Sequence, residues 1–359
     1  MSTFAANVHK DFQFNGYAYT RKTLQELAYE LVKEGNDFEI PIGQFISDWL
    51  DQSATITVQT SGSTGKPKTI SLKKQYMVES ALTTGRFFHL EPKSQALLCL
   101  PATTIAGKMM LVRAMVLGWH LDSIPPKKDL EINAKKAYTF AAMIPLQLQA
   151  NRHKLNNIET LIVGGAPMSA ELKSSIQTLK TKVFETYGMT ETVSHIAVKQ
   201  SNHVEAKKNE NLFQVLPGIT ISQDSRGCLV IDAEKITNQK IITNDVVTCY
   251  SPTTFEWLGR ADYAINSGGV KIHPEVVERI LAPSISNRFF ITSVPDKSLG
   301  ERVIMVVEGD KQLIDARIFS ELKKHEIPKD ILFTKAFQET HSGKVQRKQT
   351  LEAAKKNAV

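Results

Sequence analysis

The stretch Thr60-Ser61-Gly62-Ser63-Thr64-Gly65-Lys66-Pro67-Lys68 decides how the rest of this chain is read. It sets hydroxyls, two glycines and two lysines directly after residues 55–59, whose alternation predicts a short strand. A loop that cradles phosphates needs those groups. Glycine lets the backbone approach a polyphosphate, hydroxyls and N–H groups donate hydrogen bonds, and lysine offsets charge. The loop is not of the Walker A type, which has four residues between its glycines and Ser or Thr after its lysine. Here two residues intervene, and Pro67 follows Lys66.

Outward from this loop the pattern repeats as strand, loop, helix. Met77, Ala81, Thr84 and Phe88 are spaced along one face of a helix. The apolar runs 96–100 and 160–163 suit buried strands, and 182–185 leads toward a loop at Tyr187. This is α/β architecture, in which ligands gather at the carboxyl ends of strands. The first fifty residues alternate strand-like and helix-like pieces without an interpretable motif. Past residue 260 come a turn at Ser267-Gly268-Gly269 and a helix from Pro274 with Val276, Val277, Ile280 and Leu281 on its apolar face. A strand at 303–307 and a lysine-rich helix ending before Pro328 are expected to complete a second unit. The expected organisation is a large N-terminal α/β domain over 1–258, with sheets flanked by helices. A connector at 259–262 and a small C-terminal α+β domain over 263–359 follow it.

Composition narrows the function. A chain of 359 residues, 42% hydrophobic and 23% charged, suits a soluble two-domain protein. Residues 1–20 lack an apolar export segment, and the apolar region 96–121 carries Lys108 and Arg113, which reads as core and not as a membrane span. Cys99, Cys228 and Cys249 have no metal-ligand spacing and suggest reduced thiols in the cytoplasm. The net charge of +7 is spread along the chain without a recognition motif, which argues against nucleic acid and suits phosphorylated small molecules.

Further motifs follow the loop in order. Tyr187-Gly188-Met189-Thr190-Glu191, Thr243-Asn244-Asp245, Gly259-Arg260-Ala261-Asp262-Tyr263 and Ser342-Gly343-Lys344-Val345-Gln346-Arg347 span most of the remaining chain. With TSGSTGKPK, the set resembles the superfamily of acyl-CoA synthetases, peptide-synthetase adenylation domains and luciferases. In that superfamily Gly is usual at position 244 and a second Asp at position 263. The resemblance implies that ATP activates a small-molecule carboxylic acid as its acyl-adenylate, with Mg2+, before transfer to coenzyme A. It also implies that the small C-terminal domain is mobile.

The resemblance further implies a role for each position. Residues Thr60, Ser61, Gly62, Ser63, Thr64, Gly65 and Lys66 would hold the ATP phosphates. Gly164-Gly165-Ala166-Pro167 resembles the adenine-wall loop, with Glu185, Thr186, Tyr187, Gly188 and Met189 also on the nucleotide. Thr190 would donate to a phosphate and Glu191 would help hold Mg2+. Asp245 would accept from the ribose hydroxyls, with Arg260 nearby. Lys344 would be catalytic, since a lysine bridging the carboxylate and the α-phosphate stabilises charge that builds in the transition state. Asp262 would be the hinge, and Gly268, Gly269 and Lys271 would flank the pantetheine channel.

Shortness, the continuation from Tyr187 to His195, and Leu100-Pro101 before Ile105-Ala106-Gly107 resemble the o-succinylbenzoate–CoA ligase branch of menaquinone biosynthesis. Thr103-Thr104 replace that branch's Phe-His. Its acid carries a second carboxylate, for which Lys108, with Thr104 and Ser194 or His195, is the expected receptor. Lys108 could instead lay its stem along an amphipathic helix with its head in water. His195 could be a packing residue. The same motifs would serve a medium-chain or aryl acyl-CoA synthetase. An amino-acid adenylation enzyme fits less well, because no aspartate after Pro101 is placed to meet an ammonium. A non-catalytic nucleotide-binding module would have no need of Lys344.

Overall fold

In a computed structural model that describes residues 8–59, 69–204, 211–339 and 345–357, the chain forms two lobes around separate sheets. The larger lobe is built on a 13-stranded sheet. Five strands run parallel in the order His120–Ser123, Gln95–Leu98, Tyr138–Met143, Ile158–Val163, Lys182–Gly188. Their near-continuous apolar runs suit strands covered on both faces. The chain leaves Gln95–Leu98 first to one side and then to the other, so the loops after these strands open at a switch point, where α/β sheets bind ligands. Beyond Lys182–Gly188 the pairing is antiparallel, through His195–Gln200, Leu212–Val215, Thr254–Arg260, Ile241–Ser251, Cys228–Asp232 and Thr220–Gln223.

Thr55–Gln59 and Thr69–Lys73 form their own antiparallel pair with Gln59 opposite Thr69. The two ends of the 60–68 segment are therefore held side by side, while the segment itself lies outside the described residues. The helix Lys74–Phe88 buries Met77, Ala81 and Thr84, the face its spacing predicts. The helix Ile105–Leu117 is apolar nearly all round and buried from Met109 to Met115, as a helix at the centre of a lobe must be. No helix among the described residues is long and apolar enough to cross a membrane.

Residues 8–50, which carry no readable motif, have a structural role. Thr20 and Thr23 form a capping box that starts the helix Arg21–Glu34. This helix packs on Ile40–Leu50, and Leu24, Ala28, Phe45, Ile46 and Trp49 join one core with Met77, Met109 and Met110. The hairpin thus completes the core around the two central helices.

The large sheet ends at Arg260 and the second sheet begins at Ile265. In the second sheet Ile265–Ser267 and Val270–Ile272 form a hairpin whose two turn residues, Gly268 and Gly269, have φ of 58° and 80°. Both angles require glycine-like freedom, the condition for a tight two-residue hairpin turn. Phe289–Asp296, Gly300–Glu308 and Asp330–Thr334 complete the sheet, with helices Pro274–Leu281 and Arg347–Asn357. Two expectations are corrected. The lysine-rich helix before Pro328 is absent: only the short 3-10 turn Ala316–Phe319 forms, and the Glu326 carboxylate takes the Lys323 N–H at 2.9 Å. Such side-chain-to-backbone bonding competes with a helix. Tyr187 lies in the strand Lys182–Gly188 and not in a loop, because it pairs with Ala197.

The buried Lys74 ammonium is held by the Asp51 carboxylate at 2.6 Å and the Asp51 carbonyl at 3.2 Å, at the end of Ile40–Leu50. Burial pushes the Asp51 carboxyl up, but the Lys74 hydrogen bond, the Ser53 N–H and the Lys74 charge together outweigh it and hold the group below its usual range. Asp51→Ala strands a buried cation and is expected to cost about 2 kcal/mol, whereas Lys74→Met removes both the charge and its desolvation and is expected to be nearly neutral. Urea denaturation of the two variants checks the order.

Candidate active site

The face on which the sequence places nucleotide contacts is organised by one carboxylate. Asp245, on Ile241–Ser251, is buried. Its Oδ2 accepts from the Tyr187 hydroxyl at 2.6 Å and its Oδ1 from the Trp257 indole at 3.2 Å, while Arg260 Nη1 stands 3.6 Å from Oδ1. Cross-strand pairing sets Asp245 opposite Arg260. The Tyr187 ring packs edge-on against Phe213 and Phe255 at 5.9 and 5.3 Å. Burial, then Asp245, raises the Tyr187 hydroxyl far above its usual pKa, so it stays a donor. An ionised carboxylate has about four lone-pair sites, and these contacts leave capacity for further hydroxyls. Trp257 is a partner that motif matching missed; an aromatic on an otherwise ordinary strand gave no signal.

The loop after Ile158–Val163 lies beside this strand. A Cβ at Gly164 would stand 2.4 Å from Thr186 Oγ1, so glycine permits the close approach. Gly165 has φ of 86°, and Gly165, Ala166 and Pro167 are exposed. Thr186 itself donates to the Val163 carbonyl at 3.2 Å. The Glu185 side chain departs from the expected role. Its buried carboxylate pairs through Oε2 with Lys199 at 3.0 Å and Lys173 at 3.2 Å. Gly188 and Met189 lead into the single 3-10 turn Thr190–Thr192, where Thr192 Oγ1 accepts the Met189 N–H at 3.0 Å. Glu191 is exposed on that turn. Among the described residues no group of three or more side chains could hold a metal ion. A lone carboxylate fits a Mg2+ that draws its remaining oxygens from phosphates and water.

A second polar cluster lies inside the apolar core. Arg113 is 2% exposed on Ile105–Leu117. Its Nη2 donates to Ser194 Oγ at 2.5 Å and His195 Nδ1 at 3.3 Å, and its Nε to Thr84 Oγ1 at 3.3 Å. All of these partners are uncharged. Burial pulls the guanidinium down to about 9, which leaves it charged at neutral pH. Because arginine only donates, His195 Nδ1 must accept, and its proton sits on Nε2. That buried atom has no hydrogen-bond partner among the described residues. A desolvated cation without a counter-anion is costly.

The expected receptor Lys108 is placed elsewhere. Its ammonium lies 5.3 Å over the Phe45 ring of the first-fifty hairpin, and burial lowers its pKa. Thr104 spends its hydroxyl locally, accepting the Gly107 N–H at 3.3 Å as a helix cap and donating to the Pro101 carbonyl at 2.8 Å. Ser194 and His195 do meet a cation, but it is Arg113. The signal was present in the sequence as an arginine in the most apolar part of the helix, between Met109 and Met115.

In the small lobe Gly268, Gly269 and Lys271 are exposed on the hairpin. Asp262 is exposed and pairs with Arg260 Nη2 at 2.9 Å. Thr60 through Lys66 and Lys344 lie outside the described residues.

His195 carries a pH signature. Burial, then the adjacent Arg113 charge, drives its pKa well below 6.5. The unfolded chain binds that proton below about 6.5 and the folded chain does not, so stability falls as pH drops, by about 1.4 kcal/mol per unit. His195→Gln is expected to flatten the loss of stability between pH 7 and pH 5. Urea midpoints at the two pH values measure it.

Comparison with known proteins places this geometry. The family model described as AMP-binding enzyme matches residues 21–225. A 2-succinylbenzoate–CoA ligase of Salmonella typhimurium is 28% identical over 75% of this chain, which spans 61% of that enzyme. The crystal structure of an acyl-CoA synthetase (AMP-forming)/AMP-acid ligase II-like protein from Dyadobacter fermentans is 36% identical. It covers 91% of this chain and 97% of its own, with a TM-score of 0.61. The Bacillus subtilis o-succinylbenzoate CoA synthetase shares the fold. Bound to its acyl-adenylate it has a TM-score of 0.70 at 19% identity, over 82% of this chain and 68% of its own. Bound to ATP and magnesium it gives 0.70 at 17%, over 93% and 82%. With the family model spanning more than half of the sequence, this chain belongs to the AMP-binding enzyme family of adenylate-forming acid ligases.

Proposed function

We propose that the chain activates 2-succinylbenzoate with ATP and passes the acyl group to coenzyme A. The observation that carries the reading is Arg113: a buried guanidinium with only neutral partners, beside an unpartnered His195 Nε2–H. An acid with a second carboxylate supplies the missing anion. The names of the relatives point to the same acid.

In this reading Thr60 through Lys66 hold the triphosphate, Gly165 to Pro167 and the backbone of 185–189 flank adenine, and Asp245 with Arg260 takes the ribose. Thr190 donates to a phosphate and Glu191 helps hold Mg2+, which would neutralise charge on the phosphates. Lys344 stabilises the α-phosphate as the acid's carboxylate oxygen attacks it and pyrophosphate leaves. The thiol then attacks the acyl carbon, guided past Gly268, Gly269 and Lys271, and AMP departs. Asp262 is the pivot that exchanges the two arrangements.

Arg113→Met suits an apolar core and should fold. It is expected to raise KM for 2-succinylbenzoate about 30-fold, the scale of one lost charge-assisted contact, with KM for ATP unchanged. Equal rises in both constants, or a monocarboxylic analogue used as well as the diacid in a thioester assay by mass spectrometry, would sink the diacid assignment. Lys344→Ala is expected to slow adenylation about 10²–10³-fold and to spare thioester formation from supplied acyl-adenylate. Rapid-quench measurement of each half-reaction distinguishes the outcomes.

A further inference from the structure

Tyr263 occupies a position where the related motif carries a second aspartate, and its surroundings account for the exchange. Its ring lies 4.9 Å from the Arg347 guanidinium, which is also 5.5 Å from the Phe290 ring. Arg347 sets two nitrogens on the two oxygens of Glu278, both at 2.8 Å, and donates to the Ile291 carbonyl at 3.2 Å. Glu278 in turn accepts the Ile291 N–H at 2.8 Å. Three residues earlier on the same helix, Glu275 rests against the connector between the lobes. A Cβ added at Gly259 would meet Glu275 Oε2 at 2.2 Å, and Glu275 Oε1 accepts the Arg260 N–H at 3.4 Å. One helix therefore grips residues 259–260 directly and residue 263 through Arg347. An aspartate at 263 would crowd a third carboxylate around one arginine, whereas a ring adds a stacking face without charge.

Arg347 also opens the final helix, Arg347–Asn357. Just before it, Val345 bridges to Glu339 and the Gln346 N–H donates to the Gln338 carbonyl at 2.8 Å. Residues 340–344, which join the two sides of this neck in sequence, lie outside the described residues.

We propose that Tyr263 is a positioning residue for the adenylation half-reaction: by stacking on Arg347 it ties the connector between the lobes to the neck that bears Lys344. The proposal rests on the assignment of Lys344 above. Tyr263→Ala is expected to slow single-turnover pyrophosphate release about threefold to fivefold, the scale of one solvent-exposed cation–ring contact. KM for ATP and thioester formation from supplied acyl-adenylate stay unchanged. Tyr263→Phe, which keeps the ring, matches the parent enzyme. Amide hydrogen exchange at Gln346 quickens in the alanine variant and not in the phenylalanine variant. The proposal is overturned by equal slowing of both half-reactions, by a phenylalanine variant as slow as alanine, or by unchanged exchange at Gln346. If Lys344→Ala adenylates normally while Tyr263→Ala still slows that step, the clasp is supported and only the lysine assignment fails.

Discussion

A buried carboxylate must find donors, and in this chain Asp245 finds them on two other strands. Tyr187 comes from the last parallel strand, and Trp257 and Arg260 from Thr254–Arg260 in the antiparallel half, Arg260 at its end beside the connector. One anion thus joins the two halves of the large sheet at the face where nucleotide binding is expected. It also sets how the connector leaves the sheet, because Arg260 divides its guanidinium between Asp245 and Asp262. Removing any single donor would leave part of that desolvation unanswered, so the contacts are linked and not additive.

The core treats its cations differently. Lys74 and Lys199 are buried but paired with Asp51 and Glu185. Arg113 is buried as deeply and has serine, threonine and histidine for company. Among the described buried cations Arg113 is thus the one that stands without an anion. Apolar packing from Met109 to Met115 excludes water from that helix and makes the guanidinium more demanding of a partner.

The small lobe meets the large one through polar contacts along one helix. Arg279 pairs with Glu256 at 2.8 Å, and Glu275 touches Gly259 and Arg260. Burial raises the carboxyls of Glu275 and Glu278, with Arg347 acting against that rise. A seam that joins charged groups costs less to separate in water than an apolar one.

The sequence by itself determined the family, the order of the motifs and most of the regular elements. Phosphate loops, hairpin glycines and helix faces are local: they depend on residue type over a few neighbouring positions. Tyr187 was misread as a loop because what holds it in a strand comes from distant residues, Asp245, Phe213 and Phe255. Periodicity marks a face only where polar residues outline it; Ile105–Leu117 is apolar nearly all round, and Lys108 was the expected receptor while Arg113 was read only as a sign of core. Tertiary structure alone decided between them, sending Lys108 to Phe45 and Arg113 to Ser194 and His195, more than eighty residues away. The reason is physical: which charge a core shelters depends on neighbours brought in by the fold, and no window of sequence contains them.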